Sequence, residues 1–247
     1  MNAAQAPIRI AAWSGPRNIS TAMMRAWENR PDTSVVDEPL YAHYLAVTGI
    51  DHPGRDATLA SGERDLGRAV SFLLGPVPGG RAVFYQKHMT HHMLPGMDTD
   101  WFRSVRHAFL IRDPREVLLS YIKGRSEVTL EDLGVPQQQA LYETVVALGD
   151  GEPLVIDAGE FLRNPEAHLR IWCEHLGLAF TERMLHWPAG PRDTDGAWAP
   201  HWYDAVLRST GFEPWRERDR NTPPEHNDIV RAAMPIYEAL HDKRVRV

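Results

Sequence analysis

Ile8-Arg9-Ile10-Ala11-Ala12-Trp13-Ser14-Gly15-Pro16-Arg17-Asn18-Ile19-Ser20-Thr21 is the stretch on which the reading of the whole chain turns. Its apolar run ends in Ser-Gly-Pro, the punctuation of a strand that runs into a turn. Ser20 and Thr21 suit the first turn of a helix, and Ala22, Met23, Met24, Ala26 and Trp27 carry it toward Pro31, which stops it. Strand, short loop and helix in that order are the unit of parallel α/β sheets, and the free N–H groups at such a helix start favour anions.

Outward from this unit the same alternation repeats. Thr33-Ser34-Val35-Val36-Asp37 reads as a second strand, stopped by Glu38-Pro39 and expected beside the first. Residues 39–62 are polar and rich in Gly, Pro and His, which predicts an excursion over the surface. Ser61 is placed to cap a helix reaching Leu74, with a stripe of Leu66, Val70, Leu73 and Leu74. Residues 82–85 and 105–111 predict two more strands, the second followed by a helix opened by Pro114. A helix near 136–148, a strand at 154–156 and a helix capped by Asn164 with Pro165 complete the series. Strands separated by helices predict an α/β fold, a three-layer sandwich with a central, mostly parallel sheet. Residues 1–247 are read as one domain, with 186–247 a loop-rich C-terminal lid region.

Composition narrows the function. Of 247 residues 43% are hydrophobic, which is globular, and 33 acidic against 27 basic residues give a net charge of −6. That leaves no broad basic field for nucleic acid, so no nucleic-acid partner is expected. The single cysteine, Cys173, makes no disulfide framework, and the start lacks the charged and apolar regions of a secretory signal, so a cytoplasmic location is expected. No run nears the roughly 20 apolar residues that span a bilayer, so no membrane partner is expected either. A homodimer is left open.

Two segments carry chemistry. The loop 14–21 offers a turn, one cation and two hydroxyls at a helix start, but lacks the second Gly and the Lys of a Walker A loop. Arg112-Asp113-Pro114-Arg115-Glu116-Val117 closes a strand and opens a helix, with Ser120 and Tyr121 following on it. Pro16-Arg17-Asn18-Ile19-Ser20-Thr21 resembles the PKSGTT loop of the cytosolic-type sulfotransferases, and the second segment resembles their RNPKDVxxSYY run. Residues 157–165 are similar to the family's YEDLxxNP segment.

The resemblance implies a P-loop nucleotide-type fold that takes 3′-phosphoadenosine 5′-phosphosulfate (PAPS) as co-substrate. Arg17, Asn18, Ser20 and Thr21 would then hold the 5′-phosphosulfate, and Arg112 and Ser120 the 3′-phosphate. Arg17 stands where the family has Lys and Ile19 where it has Gly; a guanidinium keeps the charge but offers a planar fork. The family's late RKGxxGDW loop has a loose counterpart in residues 192–198, which makes Arg192 a further ligand candidate.

Sulfuryl transfer needs a base for the acceptor's proton and donors for the charge that builds on the leaving phosphate. Glu38 at the end of strand two is one candidate base. His88 is the other, since Lys87-His88 is similar to the family's KTH segment with one residue missing; His91 or His92 are further alternatives. Lys87 and Arg17 would stabilise developing charge. Lys87 and His88 alternate faces on a strand, so at most one of them points at substrate. The imidazoles of His88, His91 and His92 could also hold a metal, but no carboxylate or Cys completes the set nearby and transfer from PAPS needs none, so no metal is expected.

The late aromatic residues Trp187, Trp198, Trp202, Tyr203, Phe212 and Trp215 read as core or as a lid over the nucleotide, with an apolar acceptor wall as the sharper alternative. The expected function is transfer of a sulfuryl group from PAPS to a hydroxyl or amine of a small-molecule acceptor. A P-loop kinase or other nucleotide phosphotransferase, and a nucleotide-binding module without chemistry, are the alternatives.

Overall fold

A computed structural model describes residues 6–123, 127–149 and 151–247. The first five residues, read above for a leader, lie outside that range. In chain order the elements are β1 (Ile8–Ser14), α1 (Ser20–Glu28), β2 (Thr33–Asp37), α2 (Tyr41–Thr48), α3 (Arg55–Ser61), α4 (Leu66–Leu74), β3 (Val83–Met89), β4 (Arg106–Ile111), α5 (Pro114–Tyr121), α6 (Val135–Ala147) and β5 (Leu154–Asp157). There follow α7 (Ala158–Arg163), α8 (Pro165–His175), α9 (Ala199–Trp202), α10 (Asp204–Arg208) and α11 (Asn227–His241).

The sheet has five strands, all parallel, in the order β2-β3-β1-β4-β5. Alternation along each strand divides the core in two. Ile10 and Ala12 of β1, Tyr85 of β3 and Leu110 of β4 pack with Met23 and Trp27 of α1 and Leu169 and Trp172 of α8. Ala11, Trp13, Phe84 and Phe109 turn to the other face, against Leu73 of α4, Phe102 and Leu141 of α6. Helices therefore cover both faces, as near-continuous apolar strands require.

Three expectations are corrected. β2 does not lie beside β1: β3 is inserted between them and pairs with both, so Glu38 reaches the centre of the sheet edge only through contacts with β3. Much of 39–62 is helical, as α2 and α3, because Tyr41 and Leu45 bury against Trp198 and Tyr203 from the far end of the chain. Ser61 ends α3, and α4 is instead capped by Asp65, whose carboxylate accepts from the Arg68 amide at 2.8 Å. Within residues 186–247, Trp187 is buried in the core, Phe212 packs against it, and α11 packs on α5, α6 and β5.

Two contacts fix the loop after β1 and the helix that follows it. Gly134, with φ +71°, precedes α6, and a side chain there would sit 3.0 Å from Pro16 Cδ. Arg25 of α1, only 1% exposed, donates to both oxygens of Asp195 at 2.6 and 2.7 Å, tying the helix to the late loop. Removing one member of a buried ion pair leaves the other uncompensated. Arg25→Ala is therefore expected to lower the unfolding free energy by about 3–5 kcal/mol, read from urea denaturation; an unchanged midpoint would contradict the anchoring role.

Candidate active site

The C-terminal ends of β1, β2 and β3, the start of α1 and the end of α5 border a cavity of about 420 Å³. Pro16, Arg17, Asn18, Ser20, Thr21 and Ser120 form one wall, Glu38, Lys87 and Met89 the floor, and Tyr41, Trp198, Trp202 and Tyr203 an aromatic wall opposite. His52, His91 and His92 complete that side, and Tyr121 and Lys123 the rim.

Among the described residues, the non-glycine positions with positive φ are Arg17 at 56° and Glu38 at 41°. Both line the cavity. Such conformations cost of order 1–3 kcal/mol each and persist only where neighbours enforce them. Arg112 Nη1 donates to the Arg17 carbonyl at 2.7 Å, and Arg17 Nε donates to Ser120 Oγ at 2.8 Å, which joins the two cationic segments directly. Asn18 is engaged in holding the loop, donating to Leu110 O at 2.9 Å and accepting from the Ile19 amide at 2.7 Å. Ser20 and Thr21 sit in the first turn of α1, where amides lack intrahelical acceptors.

The floor is a buried charge cluster. Asp37 and Lys87 are register partners across β2 and β3, so their side chains share a face. Glu38 follows Asp37 directly and on a regular strand would point away; its left-handed φ breaks the alternation and lets both carboxylates reach one ammonium. The Glu38 backbone is pinned by its amide donating to Lys87 O at 2.9 Å and its carbonyl accepting from the Tyr41 amide at 3.0 Å. Lys87 Nζ donates to Asp37 Oδ1 at 2.8 Å, Glu38 Oε1 at 2.5 Å and Tyr203 Oη at 2.9 Å. Tyr203 in turn donates to Asp37 Oδ2 at 2.5 Å and accepts from Trp198 Nε1 at 3.2 Å.

Burial pushes Glu38 up to about 7, against the pull of Lys87 and with a further upward push from the Asp37 charge. Burial alone would depress Lys87, but Asp37 and Glu38 outweigh it and hold the ammonium well above its ordinary value. A carboxylate that exchanges its proton near neutrality beside a permanent cation is equipped for general base work.

The remaining predicted residues divide. His88 faces the other side of the sheet, stacked on Trp13 at 4.5 Å, with Nε2 3.4 Å from Gln86 Oε1, and burial drops it to about 3. It does not line the cavity, and the expectation of a base there is corrected: strand alternation that brings Lys87 in turns its neighbour out. The same turn parts His88 from His91 and His92, which border the cavity. His92 stacks on Tyr41 with Nε2 4.0 Å from Glu38 Oε2, and burial keeps it neutral.

Arg192 is also corrected. It lies along α1, donating to Pro188 O at 2.8 Å and 3.7 Å from Glu28, while its loop meets the site through Trp198 and the Gly196 amide, which donates to Asp37 at 3.2 Å. Arg112 does not line the cavity either; its Nε and Nη2 clasp Glu116 at 3.2 and 3.1 Å. Burial and the neighbouring Arg218 lower its pKa, opposed by Glu116. Sequence reasoning missed Arg218 and Arg220, which reach the same Glu116 at 3.8 and 2.9 Å. The run Arg216-Glu217-Arg218-Asp219-Arg220 was the available signal. Tyr203 and Asp37 were also missed as members of the floor.

Residues 8–244 match the family model "Sulfotransferase domain", and the chain belongs to that family. It is 38% identical over 234 residues to "Branched-chain-amino-acid aminotransferase-like protein 1" of Arabidopsis thaliana, a match that covers 95% of this chain and 42% of that relative. The chain thus spans less than half of that protein's length. The sulfotransferase domain of the Synechococcus PCC 7002 olefin synthase is similar in fold, with TM-score 0.56, 16% identity and coverage of 96% of this chain and 95% of that one. Mouse sulfotransferase SULT7A1 complexed with PAP gives TM-score 0.55 at 13% identity, over 95% of this chain and 88% of that one. No described helix is long and apolar enough to cross a membrane.

The pKa of Glu38 has a thermodynamic consequence. Raised from 4.5 to about 7 on folding, it contributes stability that is complete below 4.5 and lost as pH rises through about 7. Glu38→Gln keeps a neutral side chain throughout. Across that window the wild type is expected to lose about 3 kcal/mol relative to the variant in urea unfolding. Parallel pH–stability curves would contradict the raised value.

Proposed function

We propose that this protein moves a sulfuryl group from PAPS to a hydroxyl or amine of a small-molecule acceptor. The observation that carries the reading is the meeting of two features at one cavity: a helix start joined to a second cationic segment through Arg17 and Ser120, and Glu38 seated on Lys87. PAPS is supported by the chemistry of the donor set and by the mouse neighbour solved with PAP. Ser20, Thr21, Asn18 and Arg17 hold the 5′-phosphosulfate end. Ser120 and Arg112 hold the 3′-phosphate, helped by Arg218 and Arg220; the phosphate takes the place of the Glu116 carboxylate among these guanidinium groups.

In the transfer the acceptor's oxygen or nitrogen forms the new bond to sulfur while the bond from sulfur to the bridging phosphate oxygen breaks. Glu38 takes the acceptor's proton. The electron pair leaves with the 5′-phosphate of adenosine 3′,5′-bisphosphate, where Arg17 and Lys87 offset the new charge. Tyr41, Trp198 and Trp202 wall the acceptor. The aminotransferase-like name of the plant relative keeps amines beside alcohols in the acceptor screen.

Binding tests this reading. At 100 times its dissociation constant, adenosine 3′,5′-bisphosphate should add about 2.7 kcal/mol, or roughly 5–10 °C in Tm, while ATP with Mg²⁺ adds much less. Arg112→Ala should weaken bisphosphate binding by about 1.5–3 kcal/mol in calorimetry. A rise with ATP alone supports the phosphotransferase alternative, and bisphosphate binding without sulfation of any acceptor supports the module without chemistry.

A further inference from the structure

Asp37 is a buried acid for which the reaction as proposed has no use. It ends β2 with its side chain 1% exposed, and three segments donate to it: Lys87 from β3 at 2.8 Å, Tyr203 at 2.5 Å and the Gly196 amide at 3.2 Å. A carboxylate that accepts from three directions is held in place. It sits one residue from Glu38 and shares the same ammonium, so it acts on Glu38 twice: directly by like-charge repulsion, and indirectly by drawing Lys87 toward itself.

The other groups facing Glu38 do not replace it. Tyr203 approaches from the C-terminal segment, and burial keeps its phenol protonated. His92, in the turn after β3, is neutral, and Tyr41 of α2 is stacked on it. His52, His91, Arg17 and Lys123 line the cavity beyond. Asp37 is the other carboxylate on the Lys87 ammonium.

We propose that Asp37 is a positioning residue: by holding Lys87 and Tyr203 it fixes the ammonium against Glu38 and, with its own charge, sets the pH at which Glu38 accepts the acceptor's proton. This rests on Glu38 being the base. The arrangement has a chemical logic: burial raises Glu38, Lys87 pulls it back toward a weaker base, and the second acid divides the cation and opposes that pull, which helps keep Glu38 basic near neutrality. The loop bearing Gly196 and Tyr203 becomes part of the same setting, since its only acid partner on the floor is Asp37 among the bonds described.

The test reads Glu38 itself. In the full chain labelled with ¹³C at glutamate carboxyls, the Glu38 signal is assigned by its loss in Glu38→Gln and titrated by NMR. The wild-type midpoint should lie at about 7. Asp37→Asn should move it down by about 1–3 pH units, and Lys87→Met should move it up. Should Asp37→Asn alone not fold, the double variant Asp37→Asn/Lys87→Met replaces an opposite-charge pair, and its midpoint should fall below that of Lys87→Met. Equal midpoints in wild type and Asp37→Asn, or in Lys87→Met and the double variant, would overturn the proposal. Formation of adenosine 3′,5′-bisphosphate from PAPS in the presence of a hydroxyl or amine acceptor separates the two readings. An unimpaired rate in Glu38→Gln would overturn the base assignment, and with it the role of Asp37 in the reaction, while the titrations still report whether Asp37 sets the Glu38 midpoint.

Discussion

A lysine ammonium 1% exposed to solvent is tolerated only beside anions, and the site is organised around meeting that demand for Lys87. Two consecutive residues at the end of β2 supply the anions, which a regular strand cannot do because neighbours point apart. The positive φ of Glu38 resolves the conflict, and the hydrogen bonds of its amide and carbonyl hold that strained turn in place. The same cation then draws in Tyr203, and through it Trp198, so one buried charge binds the sheet to a segment more than 100 residues away. Strain, burial and long-range closure have a common cause here.

The opposite wall is built by a different means. Arg17 also has left-handed backbone, stabilised from outside by Arg112, and its side chain is fixed on Ser120. The strand–loop–helix unit at β1 and the one at β4 thus share a guanidinium network before any ligand arrives. Asp113, Glu116, Arg218 and Arg220 extend that network around the start of α5. The cavity lies between an anion-seeking wall and a carboxylate floor, the polarity that transfer of an anionic group to a protic acceptor requires.

Local features were legible because short-range chemistry decides them. Asn164 and Pro165 start α8 as read, Pro114 starts α5, and the strands fall within a few residues of the apolar runs. The cationic segments were recognisable through their resemblance to the two family motifs, not from residue type alone. What could not be read depends on register or on distant contacts. The insertion of β3 beside β1 is a matter of topology, and it is what places Lys87 opposite Asp37. The phase of His88 on β3 is invisible in the sequence until the strand is placed; the stack on Trp13 shows which face it took. α2 looked like loop because Tyr41 and Leu45 find their partners only in the last quarter of the chain. Arg192 lies away from the cavity, and Arg218 and Arg220 reach Glu116, for the same reason: the path of the C-terminal segment is set by Asp195 on Arg25 and by Glu116, not by local pattern.

The measurement that bears most directly on this account is a crystal structure with adenosine 3′,5′-bisphosphate bound. The account predicts the 5′-phosphate at the start of α1, facing Lys87 and Glu38, and the 3′-phosphate between Ser120 and the arginines that now hold Glu116. A nucleotide bound with its 5′-phosphate away from Lys87, or outside this cavity altogether, would contradict it.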